Sequence, residues 1–289
     1  MSETAQTQDC IARLDARAHH HDVTFEGRRV HWRSFGAGPA LVLLHGGHGS
    51  WLHWARNIEA LAQRHTLWLP DLPGFGDSDE ASVPHDINHL VQAVAATLDV
   101  LVGPDTPVDL AAFSFGGVVA VHLARARTIK RMALLGTAGH DQPRGEMAPL
   151  INWRLAQSAT ALQAAHRHNL AALMLHDPDA IDALALAIHT QSCAHTRFRS
   201  KAISRSTALR ALLRDMHLPL LLAWGEHDVT AAPPATAAAH LIDGHAQRQW
   251  HQLPGAGHWV QYERADAVNT MLLDWFATSG THPHAAAPQ

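Results

Sequence analysis

The sequence predicts an α/β protein: a doubly wound, mostly parallel sheet of eight strands with a helical lid inserted into it. Three observations carry this expectation. Ala40–Leu44 is apolar at every position rather than alternating, which marks a strand covered on both faces, and Val108–Phe113 reads as a second short buried strand. Segments with helical spacing separate them through the first half of the chain. From about His140 to Asp215 no strand-like run occurs, alanine and leucine rise, and helical patterns follow one another. The expected layout is a core over 22–139 and 216–278, a lid over 140–215, and tails at 1–21 and 279–289.

Phe25 and Val30–Phe35, with Glu26-Gly27 between them, read as an antiparallel hairpin. Ala40–Leu44 follows as a strand and ends in His45-Gly46-Gly47-His48-Gly49-Ser50, after which Trp51, Leu52, Trp54, Ile58 and Leu61 recur at helical spacing. Thr66–Leu69 is the next strand. It runs into Asp71-Leu72-Pro73-Gly74-Phe75-Gly76-Asp77-Ser78, too rich in Pro and Gly for regular structure. A helix follows, with Leu90, Val91, Val94, Leu98 and Val102 on its apolar face.

Val108–Phe113, the central strand, meets Ser114-Phe115-Gly116-Gly117, after which Val118–Val121 with Leu123-Ala124 reads as a helix. Arg131–Leu135 is the sixth strand. In the lid, helical patterns surround Trp153–Leu155, Leu170–Leu175, Ile181–Ile188 and Leu209–Leu213. Pro219–Trp224 returns to strand and ends in Gly225-Glu226-His227-Asp228; Gln249–Leu253 leads to Gly257-His258-Trp259, and a final helix carries Val268, Met271, Leu272, Trp275 and Phe276.

Composition narrows the function. With 22 Lys and Arg against 26 Asp and Glu, the formal net charge is -4, and no basic cluster points to a nucleic acid. No stretch approaches the roughly 20 apolar residues of a membrane span. Met1–Cys10 is polar and acidic without an apolar run, so a cytoplasmic protein is expected. Cys10 and Cys193 are expected to be reduced thiols. The 25 histidines invite a metal reading, yet no His-Glu-x-x-His or paired-cysteine spacing occurs, and no metal or cofactor is expected. His19-His20-His21 reads as a solvated surface run, and the residues after Thr278 as a frayed tail. Oligomeric state is left open, a homo-oligomer included.

The chemistry concentrates at strand ends. Ala112-Phe113-Ser114-Phe115-Gly116 places a serine on a tight strand-to-helix corner, its hydroxyl in the open and helix-start amides behind it. Alanine replaces the first glycine of the Gly-x-Ser-x-Gly pattern and remains small enough for the corner. Asp228 follows the seventh strand and His258 the eighth, and in an open α/β sheet such loops crowd onto one edge. A serine hydroxyl is a poor nucleophile near neutral pH, so His258 is expected to take and return its proton, with Asp228 fixing the imidazole's tautomer. Asp141, after the sixth strand, is the competing acid.

In the order Ser, Asp, His, and in the His45-Gly46-Gly47 loop, the Asp71–Ser78 turn, the elbow, the Gly225–Asp228 loop and Gly257-His258, the chain resembles the α/β-hydrolase superfamily from about Phe25 to Phe276. The resemblance implies oxyanion donors on the backbone N–H groups of Gly47 and Phe115. The stretch Gly257–Glu263 is also similar to the histidine loop of meta-cleavage product hydrolases, which cut carbon–carbon bonds; these carry a lid arginine for the substrate's carboxylate, for which Arg154, Arg167, Arg197 and Arg199 are candidates. Where those enzymes usually have asparagine before the nucleophile, this chain has Phe113.

Phe113 and Phe115 make the elbow apolar or simply pack the core, and Trp259 is expected to line the pocket. His45 is expected to hold the oxyanion loop, Asp71 and Asp77 to shape their turn, and His48, His53, His140 and His227 to be bystanders. The expected activity is hydrolysis of small carboxylic esters, with a small-molecule ester or ketone as partner and carbon–carbon hydrolysis as runner-up. A non-catalytic small-ligand binder or a cofactor-free lyase or oxygenase is the remaining alternative.

Overall fold

Along Ala40–Leu44, Val42 and Leu44 pack into one apolar cluster and Leu41 and Leu43 into another, because successive side chains of a strand point to opposite faces. Leu110 and Ala112 against Ala111 and Phe113 divide the same way, as do Leu222 against Leu221 and Ala223. Both faces of the central strands are therefore covered, which is why their sequences are mostly apolar.

The computed structural model describes residues 3–242 and 244–277. The strands are β1 (His19–Phe25), β2 (Arg28–Phe35), β3 (Ala40–Leu44), β4 (Thr66–Pro70), β5 (Val108–Phe113), β6 (Ile129–Leu135), β7 (Leu220–Gly225) and β8 (Arg248–Leu253). They form one eight-stranded sheet in the order β1-β2-β4-β3-β5-β6-β7-β8. Only the pairings of β1 with β2 and β2 with β4 are antiparallel; the others are parallel, with Leu43 opposite Ala111, Phe113 opposite Leu135, and Gly225 opposite Leu253. The single acid inside β5, Asp109, is buried in a two-pronged pair with Arg131 of β6 at 3.1 and 2.8 Å.

One face is covered by the helices Ile87–Val102, Phe115–Ala126 and Pro234–Ile242, the other by Ile58–Leu61 and Ala265–Ala277. The helix Ile87–Val102 begins where the Asp86 carboxylate accepts from the Asn88 N–H, and it ends at Gly103, whose φ of 89° suits glycine.

Between β6 and β7 the chain leaves the sheet. Residues 140–152 take no regular structure, and the helices Ala159–Asn169 and Ala183–Ala194 follow, with a π-helical turn at Leu170–Met174 and short helices at Lys201–Ser204 and Ala208–Leu213.

Several elements differ from expectation. Within the stretch read as a tail, Glu3–Asp15 is a helix whose Ile11 and Leu14 pack on the core, and β1 begins at His19. His19-His20-His21 thus belongs to an edge strand paired with Ser34, Arg33 and Trp32, and His21 hydrogen-bonds the Ser34 hydroxyl at 2.9 Å. The helical run after Ser50 divides into a 3-10 turn, Trp51–Trp54, and one α-turn, Ile58–Leu61. The helix Pro234–Ile242 was not anticipated; its signals are proline at the first position and a run of alanines. The expected tail at 279–289 lies outside the described residues.

Candidate active site

Ser114 sits between β5 and the helix Phe115–Ala126 with φ 52° and ψ −116°, a left-handed backbone that costs a non-glycine residue on the order of 1–3 kcal/mol. Bonds on both sides hold it there: its N–H donates to Leu135 O at 2.9 Å, and its carbonyl accepts from Gly117 and Ala138 at 2.9 and 3.1 Å. The two glycines allow the close packing. A Cβ on Gly116 would come within 2.5 Å of the His45 carbonyl, and one on Gly117 within 2.1 Å of the Thr137 hydroxyl.

The corner aims the Ser114 hydroxyl at His258, whose Nε2 lies 2.9 Å from Oγ. The His258 Nδ1 lies 2.8 Å from Asp228 Oδ2. An ionised carboxylate only accepts, so Nδ1 carries the proton and Nε2 keeps its lone pair for the serine O–H. Asp228 is buried, and its other oxygen accepts from the Thr230 N–H at 2.8 Å and the Thr230 hydroxyl at 2.7 Å. Burial alone pushes this carboxyl up, but attraction to His258 and the hydrogen bonds from His258 and Thr230 outweigh it and hold the group below the usual carboxylate range. Gly136, at φ 51°, makes room for the pair: a Cβ there would lie 3.0 Å from His258 Nδ1 and 3.2 Å from Asp228 Oδ2. Asp141 is exposed, and it is Asp228 that meets the imidazole.

The second wall is the loop after β3. A Cβ on Gly47 would stand 3.7 Å from the Phe115 Cβ, so the two backbone segments named as donors lie side by side. Phe115 opens its helix, where the first N–H groups have no partner within the helix. His45 fixes this loop, donating from Nδ1 to Gly46 O at 2.8 Å and accepting at Nε2 from the Leu72 N–H at 3.0 Å. His53, expected to be a bystander, takes part: its Nδ1 accepts from the Gly46 N–H at 3.2 Å. Asp71 ties the neighbouring turn, accepting from the N–H groups of Trp51 and Asp77 at 2.9 and 3.0 Å and pairing with the buried Arg33.

A cavity of about 380 Å³ opens over Ser114 and His258. Phe113, Met147, Leu150, Leu173 and Met174 make its apolar wall, the last two carried by the π-helical turn of the helical segment between β6 and β7. Gly47, His48, Ser200, Ser204 and Thr230 are also on its lining. Arg144, Lys201 and Arg205 reach it too, and among the described residues none of the three has a carboxylate within ion-pair distance.

Not every expectation fits this arrangement. Trp259 does not line the cavity; it is wholly buried, its indole N–H donates to His53 O at 2.9 Å, and its ring stacks on Tyr262 at 4.3 Å. Its backbone N–H donates to Met174 O at 2.7 Å, so the residue fastens the histidine loop to the helical segment between β6 and β7. Phe113 lines the cavity, with its ring 4.9 Å from that of His258, whereas the Phe115 side chain packs in the core against Phe75 and Phe198. Of the lid arginines singled out from sequence, Arg154 lies over the Trp153 ring, Arg167 and Arg197 bond to backbone carbonyls, and none of the four is on the cavity lining.

A serine, an imidazole and a carboxylate on three loops of one sheet edge, with a glycine loop beside the serine, define an elbow-type α/β enzyme. The chain belongs to the alpha/beta hydrolase family, whose model matches residues 41–271. It is 30% identical over 262 residues to the dihydrolipoyllysine-residue acetyltransferase component of an acetoin cleaving system from Pseudomonas putida, covering 86% of this chain and 66% of that protein. It is 29% identical over 267 residues to a 2-hydroxy-6-oxo-6-phenylhexa-2,4-dienoate hydrolase from Burkholderia cepacia, covering 86% of this chain and 91% of that one. Among solved structures it is similar to the esterase RhEst1 from Rhodococcus sp. ECU1013, with a TM-score of 0.76 and 21% identity over 91% of this chain and 100% of that one, a likeness of fold.

Proposed function

We propose that this protein hydrolyses small carboxylic esters through an acyl-enzyme on Ser114. The observation that carries the reading is the unbroken line from Asp228 through His258 to the Ser114 hydroxyl, opening into a cavity flanked by Gly47. Ser114 Oγ attacks the ester carbonyl as its proton passes to His258 Nε2, and Asp228 stabilises the imidazolium. The oxyanion is met by the N–H groups of Gly47 and Phe115, each typically worth about 10²- to 10³-fold in rate. Collapse expels the alcohol, which takes the proton from His258; water then attacks the acyl-enzyme by the same proton path and releases the acid.

The three unpaired cations at the cavity fit a substrate whose acyl part carries an acidic group. They also favour one second reading, carbon–carbon hydrolysis of a dienoate, the kind of compound named in the relative from Burkholderia cepacia. A panel of p-nitrophenyl esters with neutral and carboxylate-ended acyl chains, run beside a ring-cleavage dienoate, separates the two. The proposal expects the higher kcat/KM on an ester, with the carboxylate-ended chains favoured. A dienoate turned over with kcat/KM at least tenfold above every ester replaces it with the second reading.

A further inference from the structure

We propose that the lid holds a transition-metal site, of which zinc is the fitting occupant, built from His166, His189 and Cys193. His189 and Cys193 stand four residues apart on the helix Ala183–Ala194 and so share a face, and His166 comes from the facing helix Ala159–Asn169. One donor atom from each lies within 4.8 Å of the others, and the Cys193 sulfur is 3.8 Å from His189 Nε2. Zn–S and Zn–N bonds of about 2.3 and 2.1 Å place tetrahedral ligands roughly 3.5 Å apart, so side-chain rotations of about an ångström close the set.

The second observation is a nitrogen without a partner. His166 is only 1% exposed, and its Nδ1 has no hydrogen bond. A buried imidazole nitrogen is ordinarily satisfied, and a metal ion is one of the few occupants that satisfies a lone pair without needing an acceptor of its own. The donor set is soft enough for zinc: two imidazoles and a thiol, with no carboxylate among them.

Protonation is consistent with this chemistry. Burial, helped by His166 and His48, pushes His189 down to about 3, and burial also lowers His166, so both rings are neutral and ready to coordinate. Burial pushes the Cys193 thiol up to about 12, while Arg154 acts in the other direction. Binding therefore releases one proton: the S–H bond breaks, a Zn–S bond forms, and the two Zn–N bonds displace nothing from the protein. Three protein ligands leave the fourth position to water. The ion would clasp the two helices together, near His48 of the cavity lining.

The test uses the full chain carrying Cys10→Ser, which leaves Cys193 as its one thiol. After chelator treatment and dialysis it is titrated with cobalt(II), whose thiolate complexes show a charge-transfer band in the near ultraviolet. The proposal expects the band to saturate at one equivalent, to vanish on adding zinc, and to disappear in Cys193→Ser; His166→Phe weakens cobalt binding at least tenfold. Thermal melting without metal reports whether each variant is folded, and His189→Leu, expected to lose at least tenfold in affinity, replaces any that is not. A folded protein with no thiolate band, including one that takes up cobalt only through exposed histidines, overturns the proposal. So does a band whose affinity is untouched by both histidine changes. None of these readouts depends on hydrolase activity.

Discussion

Asp228 spends both oxygens before any substrate arrives, one on His258 and one on Thr230. That division fixes the proton on Nδ1 and leaves Nε2 able to accept from Ser114. In Asp228→Asn the amide can donate to Nδ1 instead, which moves the proton to Nε2 and opposes the serine. Ester kcat is expected to fall on the order of 10⁴-fold with little change in melting temperature; retention of kcat within tenfold in folded protein contradicts the role given to Asp228. The residues proposed to carry this chemistry were legible because each follows a mostly apolar strand and has a reactive side chain. Gly136, Thr230 and His53 were not, since they act by leaving room, by orienting a carboxylate and by bracing a loop. Such roles exist only once the neighbouring loops have met.

Among the elements, the central strands could be read from sequence because burial on both faces leaves a continuous apolar run. The edge resisted for the opposite reason: β1 reads His-His-His-Asp-Val-Thr-Phe, and its residues alternate between exposed and half-buried. The helix Glu3–Asp15 touches the core through few side chains, so its pattern is weak. In the lid, helical spacing was visible but direction was not. Whether an arginine faces the cavity depends on how the helices rotate against one another, and the cations that reach it, Arg144, Lys201 and Arg205, lie in the irregular stretch after β6 and around the turn Lys201–Ser204. Trp259 has a similar history. The sequence places it next to His258, and only the fold shows its indole N–H donating to His53 O within the core.

At the scale of the whole molecule, the parallel order of β5 through β8 brings the ends of three strands to one rim, so residues 114, 228 and 258 meet. The same packing buries histidines. Burial lowers His45, although Asp71 opposes it, and burial and the neighbouring histidines place His53 well below its ordinary value. Unfolded histidine titrates at about 6.5, so below that pH the unfolded chain binds protons that the fold excludes, and stability falls as pH falls. Asp228, held below its ordinary value, adds its own loss only in more acidic solution, beneath the unfolded carboxylate range. Melting temperature is therefore expected to drop steadily from pH 7 to pH 5, and a flat profile across that window contradicts the neutral buried histidines. Whether Ser114 is the nucleophile on this rim is read out by peptide mass spectrometry after treatment with a fluorophosphonate ester. One phosphonyl group per chain is expected, on Ser114, absent from Ser114→Ala and much slowed in His258→Ala. Folded protein that stays unlabelled, or that carries the group on another residue, contradicts it.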